Sequence, residues 1–181
     1  MTDDDDRFAE LANICAGNAA STLALLLDTT LLTHVPSVRT LPAGRPLRSL
    51  FPREERVAGI FADLRGALEA TAALLLSAGA VDDVVSRVTG KEASEAASLA
   101  VLSEVGNIAV SAAANALAEM LGETSLPSVP RAGYSPRGEL ELRELVEVHH
   151  SVRSVADVVM YERHGPLRLR FVLVPAAADI D

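Results

Sequence analysis

Two distant stretches of this chain carry the same residues in the same register. Glu10-Leu-Ala-Asn13-Ile14 aligns with Glu104-Val-Gly-Asn107-Ile108 at an offset of 94. The same offset pairs Ala19 and Ala20 with Ala113 and Ala114, Leu23 with Leu117, Leu27 with Leu121, and Pro36 with Pro130. Alanine and leucine pairs arise by chance between any two apolar helices. Glu, Asn, Ile and a distant Pro in common register are far harder to obtain that way. The 181 residues amount to about one ordinary domain. They therefore read as a single domain, 1–181, made of two repeats, about 1–93 and 94–181.

Local signals agree with a duplicated α+β unit. Residues 7–28 have helical spacing, with Asp6 as the expected N-cap and acids at the positive end of the helix dipole. A second long helix is expected from about Ser94 to Leu121, closed by Gly122. Extended segments follow each helix, Leu31 to Leu41 and Ser125 to Arg131. Short helical segments are expected at Pro46–Phe51 and Glu139–His149. Each half then offers two strand-like runs: Arg56–Leu64 with Ala67–Leu76, and Ala156–Arg163 with Leu167–Val174. Gly66 and Gly165-Pro166 supply the hairpin turns. A short helix, Val81–Val88, and Gly90 separate the halves. The expected fold is α+β with pseudo-two-fold symmetry, its two long helices packed on a β-sheet.

Composition narrows the function. With 25 acids against 16 bases the chain carries a net charge of −9, which opposes nucleic acid. One Cys rules out a disulfide framework. Only six residues are aromatic, so the core must be aliphatic. The acidic start lacks the positive charge and apolar run of a secretory signal, and no apolar run is long enough to span a membrane. A cytoplasmic location is the resulting expectation. Self-contained catalytic kits are missing: there is no Gly-x-Ser-x-Gly elbow, no His-Glu-x-x-His helix and no complete phosphate loop. Cys15 falls on an apolar helix face, His149 and His150 diverge, and His34 and His164 are isolated.

Helical spacing groups the remaining polar residues. Asp6, Glu10, Asn13, Gly17 and Ser21 form one stripe on the first helix, and Glu104, Asn107, Ser111 and Asn115 form another on the second. Leu11, Ile14, Cys15 and Leu25 lie on the opposite face of the first, and Leu102, Val105, Ile108 and Leu117 on that of the second. Such a stripe is most often just a solvated face. Asn, however, is a mediocre helix former, and it recurs mid-helix at the same register in both halves.

The pattern Asp6-x3-Glu10-x2-Asn13-x22-Pro36 resembles the signature of the CheC-type phosphatases of chemotaxis, the family of CheC, CheX and FliY. Asn13-Ile-Cys-Ala-Gly17-Asn18-Ala19-Ala20 is similar to the stretch NIGAGNAATAL of the family's first helix. Glu104-x2-Asn107-x22-Pro130 fits a second time, with Ala100 where the family pattern has Asp or Ser. Two Glu-Asn sites and no room for a rotor domain make CheC the nearest resemblance.

That resemblance implies hydrolysis of the aspartyl phosphate of the response regulator CheY. The regulator would supply Mg²⁺ and a Lys, so no cofactor or metal of the chain's own is expected. Asn13 and Asn107 would orient the attacking water, while Glu10 and Glu104 would dock against the regulator's Lys. Asp6, Pro36 and Pro130 would assist docking or shape the sites. CheD, a receptor-modifying deamidase, is the second partner implied, which leaves an adaptor with weak or no catalysis as the alternative.

Overall fold

Four consecutive acids open the first helix from inside it. The structure, a computed structural model, describes residues 3–42, 50, 56–135 and 153–176. In it α1 spans Asp3–Leu26, so Asp6 sits within the first turns and is not the N-cap that spacing suggests. Carboxylates are favourable throughout the first turn, where the helix dipole is positive, and the helix starts earlier than its apolar pattern. α2, Ala78–Thr89, is held between Ser77, whose hydroxyl accepts from the Ala80 N–H, and Gly90 at φ +73°. α3 covers Glu95–Leu121 as expected. Ser94 accepts from the Ala97 N–H at its start, and Gly122 at φ +71° donates to the Ala118 carbonyl at its end.

Among the described residues, eight strands form one antiparallel sheet: β1 Leu31–Thr33, β2 Ser37–Leu41, β3 Val57–Gly66, β4 Ala70–Ser77, β5 Ser125–Pro127, β6 Arg131–Ser135, β7 Arg153–Glu162 and β8 Arg168–Pro175. Their order is β1-β7-β8-β4-β3-β5, with β2 also on β7 and β6 also on β3. The offset of 94 carries β1 onto β5 and β2 onto β6; offsets of 96 and 98 carry β3 onto β7 and β4 onto β8. β4 and β8 meet at the middle of the sheet, where Ala73 pairs with Val172 and Leu74 with Phe171. Each half lends its two short strands to the long strand of the other, so the halves interlock.

One face of the sheet carries the helices. Ile60, Leu64, Leu74, Val158, Met160 and Phe171 point from it into the main core. α1 and α3 pack together through small residues, among them Ala12, Ala16, Ala19, Ala109 and Ala113, all fully buried. Cys15 lies in this seam with its S–H toward the Ala113 carbonyl at 3.9 Å. Burial pushes its thiol up to about 12, so it is inert as a nucleophile at neutral pH. Leu25 does not join the buried face as its spacing suggested; it is 85 % exposed. Leu23 and Leu27 hold the seam, and a residue two positions from each lies roughly 200° around the helix.

By length and composition alone α3 could cross a membrane. Here its apolar face, including Leu102, Val105, Val110 and Leu117, is buried in the core. The opposite face of the sheet buries a second cluster around Phe61, Leu75, Val155 and Val172. Asp157 is buried there between Arg170 at 2.5 Å and Arg39 at 3.3 Å. The helical segments expected at Pro46–Phe51 and Glu139–His149 lie outside the described residues, apart from Leu50, as do His149 and His150.

Candidate functional site

The stripe on α1 forms one wall of a groove. Asp6, Ala9, Glu10 and Asn13 line it from the helix; Thr33, His34, Val35, Pro36 and Val38 line it from β1, β2 and the turn between them. Its volume is about 320 Å³. Four of the sequence-predicted residues of the first half, Asp6, Glu10, Asn13 and Pro36, thus meet at one place although they span 31 positions. The β1–β2 turn reaches α1 because β1 follows the helix directly and is pinned at its far end: the His34 N–H donates to the Val159 carbonyl at 2.9 Å.

Glu10 is exposed and Asn13 half-buried. Asn18, one turn on, shows what an idle Asn does on this helix: its amide donates to the Ile14 carbonyl at 2.9 Å. Among the described residues no hydrogen bond or ion pair engages the side chains of Glu10, Asn13, Glu104 or Asn107. An amide so presented offers both a donor group and an acceptor group to whatever enters. Asp6 and Glu10 make the helix wall acidic, complementary to a cation on an entering partner.

Five groove residues escaped the sequence reading as site residues, Ala9, Val38 and the run Thr33, His34 and Val35; of these, the run adjoins the motif. His34, isolated in sequence, packs against Tyr161 with the rings tilted at 48° and their centroids 4.6 Å apart. The signal that could have found the run was already present, since Pro36 belongs to the motif and the run immediately precedes it.

The second half repeats the frame with different fittings. Glu104 and Asn107 are exposed on α3, and Pro130 is half-buried just before β6. The Ser128 N–H donates to the Asp63 carbonyl at 2.8 Å, as His34 does to Val159 in the first half. Ala100 stands exposed at the place of Asp6. Ser128 replaces His34, and its hydroxyl accepts from the Asp63 N–H at 3.0 Å. Among the described residues no cluster of three His, Cys, Asp or Glu is placed to hold a metal ion.

A model of the CheC-like family matches residues 98–134, which run from α3 through β5 to β6 and contain Glu104, Asn107 and Pro130. Among solved structures, FliY of Thermotoga maritima superposes with a TM-score of 0.79 at 22 % identity, over 98 % of this chain and 91 % of that one. The FliY chain compared is thus matched over nearly its whole length. The CheX of Borrelia burgdorferi, solved as a CheX-CheY-BeF3-Mg²⁺ complex, gives 0.61 at 14 % identity, over 90 % of this chain and 95 % of that one. FliM of H. pylori, solved in complex with SpeE, gives 0.69 at 12 % identity, over 97 % and 89 %.

Proposed function

We infer that this chain belongs to the CheC/CheX/FliY family and hydrolyses the aspartyl phosphate of a CheY-type response regulator. The observation that carries this reading is the groove in which Asp6, Glu10, Asn13 and Pro36 converge, the Asn amide having no partner among the described residues. The CheX relative solved with CheY, BeF3 and Mg²⁺ supports the choice of partner.

An acyl phosphate is already activated. Its hydrolysis needs an in-line water and neutralisation of charge on the transferring group. The regulator brings Mg²⁺ and a Lys as parts of the substrate. Asn13, entering beside the phosphate, accepts a hydrogen bond from the water through Oδ1 and donates through Nδ2, fixing the line of attack without titrating. Its contribution is positional. Glu10, one turn earlier on the same side of α1, pairs with the regulator's Lys and sets the depth to which the helix docks. Pro36 holds the opposite wall through its fixed φ. Glu104, Asn107 and Pro130 repeat these roles in the second half. A protein acting on such a regulator works in the cytoplasm.

The test is direct. Added to a regulator phosphorylated by a small-molecule phosphodonor, the purified chain is expected to speed loss of phosphate, and Asn13→Ala combined with Asn107→Ala to abolish the effect with the fold intact. Equal decay with parent and double variant overturns the mechanism.

A second reading is an adaptor that binds CheD with weak or no turnover. The FliM–SpeE complex, in which a similar fold assembles with another protein, supports an adaptor role in general. CheD captured by a chain that leaves the regulator's phosphate untouched establishes this reading over the first.

A further inference from the structure

Val35 and Val129 are 89 % and 85 % exposed, among the most exposed large apolar side chains in the described residues. One exposed valine is ordinary. These two are related by the same offset of 94 as the Glu-Asn motifs, and each stands immediately before the motif's proline. Their neighbours differ between halves. Thr33 and His34 in one correspond to Pro127 and Ser128 in the other, and Val38 to Ala132. The local fold therefore accepts several residue types around this turn, and a side chain almost wholly in water adds nothing to the core. Val35 lines the groove opposite Glu10 and Asn13.

Both turns are held stiffly. His34 and Ser128, the residues just before the valines, donate their N–H groups to Val159 and Asp63, at 2.9 and 2.8 Å. Pro36 and Pro130 restrict the backbone just after them. An apolar side chain already fixed in place loses little entropy when a partner covers it.

Resting on the proposed function, we propose that Val35 and Val129 are specificity-determining contacts. Each packs on an apolar patch beside the phosphorylated pocket of the regulator, opposite the Glu on the helix, so that the Asn between them is held at the phosphate. The valines grip the partner and take no part in the chemistry. Their loss therefore raises KM and leaves kcat unchanged.

The experiment compares the full chain with Val35→Ser, Val129→Ser and the double variant. It reads steady-state KM and kcat on the phosphorylated regulator, and affinity for the regulator loaded with beryllofluoride and Mg²⁺. Burial of one valine corresponds to roughly a tenfold change in affinity. About a tenfold rise in KM and in Kd is therefore expected for the double variant, with kcat and the melting temperature unaltered, and Val→Ile is expected to restore parental KM. An active enzyme whose KM and Kd do not respond to the double substitution overturns the valine contacts alone. A fall in kcat at constant KM also overturns them, because it places the residues in the chemistry. A parent chain that neither hydrolyses nor binds the regulator overturns the proposed function, and the valines with it.

Discussion

Gly106 on α3 sits directly against Ile60 on β3: a Cβ at position 106 would lie 2.2 Å from Ile60 Cγ2 and 2.9 Å from Ile60 Cβ. The offsets that relate the halves place Ala12 and Ala156 at the corresponding positions, both fully buried. The corresponding positions are thus two alanines in one half and a glycine and an isoleucine in the other. Ile60 is β-branched and stiff, so it cannot swing away from an added methyl. Gly106→Ala is expected to destabilise the fold by about 1–2 kcal/mol, the overpacking cost exceeding the gain in helix propensity. Ile60→Ala alone leaves a cavity and costs about 2–5 kcal/mol. Because the pair together reproduces the Ala12–Ala156 arrangement, the double variant is expected to lose at least about 1 kcal/mol less than the sum. Urea unfolding of the four proteins measures the coupling, and strict additivity would show that the contact is not as described.

The same contact sets the position of Asn107, the next residue on α3. Single substitutions of the two asparagines are expected to divide the activity between the sites. Asn13→Ala and Asn107→Ala each remove one water-positioning amide, and misplacing the nucleophile costs on the order of 10²-fold at the site affected. Each single variant then retains the rate of the intact site, with circular dichroism and melting temperature unchanged, since neither side chain has a partner among the described residues. Initial rates of phosphate loss check this. A single variant as inactive as the double would show that the sites do not act independently.

What was legible in the sequence follows from where exact side chains matter. The offset of 94 was readable because both helices carry the same polar residues at the same spacing, and it places β1 on β5 and β2 on β6 without error. It fails beyond them. The link from β6 to β7 is two residues longer than that from β2 to β3, and the second hairpin turn is two residues longer than the first. Strand interiors such as Ile60 and Ala156 ask only for apolar character, so no matching residues marked the drift. The exchange of β1 and β2 onto β7 was also hidden, because antiparallel pairing across more than 100 positions leaves no local trace. In the groove, Thr33, His34 and Val35 reach the wall through placement by the sheet, whereas Glu10 and Asn13 were visible through helical spacing and Pro36 through the motif. Asp6, expected on the helix stripe and as the N-cap, lies inside α1 and lines the groove; acids favour the cap and the first turn alike.

Ala100 is the one departure from the motif, and it makes a prediction about Asp6. If the carboxylate at the helix wall assists docking, Asp6→Ala is expected to raise KM a few-fold at the first site. Conversely, Ala100→Asp in an Asn13→Ala background is expected to lower KM at the second. Ala100 is exposed, so the new carboxylate meets no desolvation cost. Steady-state kinetics on the phosphorylated regulator decide it. An unchanged KM in both variants would reduce Asp6 to a contributor to helix stability.

Acid stability is expected to turn on Glu162. At the end of β7 its carboxylate accepts two hydrogen bonds from the Arg87 guanidinium of α2, at 2.8 and 3.0 Å, and another from the Thr29 hydroxyl. It thus ties the short helix and the α1–β1 connection to the sheet. The Arg87 bonds, then that of Thr29, hold the carboxyl down to about 2, against an ordinary 4.5. The folded state therefore releases this proton more readily than the unfolded state does. The stabilisation is fully present above the ordinary value and is lost as pH falls from there through about 2. Glu162→Gln, which keeps the shape but not the charge, is expected to be less stable than the parent by about 1–3 kcal/mol at neutral pH. It is also expected to lose less stability on acidification, so that the two curves converge at the acid end. Urea midpoints measured from neutral pH down through this window test the sign directly: parallel curves would mean that the charge on Glu162 contributes nothing, and diverging curves that its proton affinity in the folded state is raised instead of lowered.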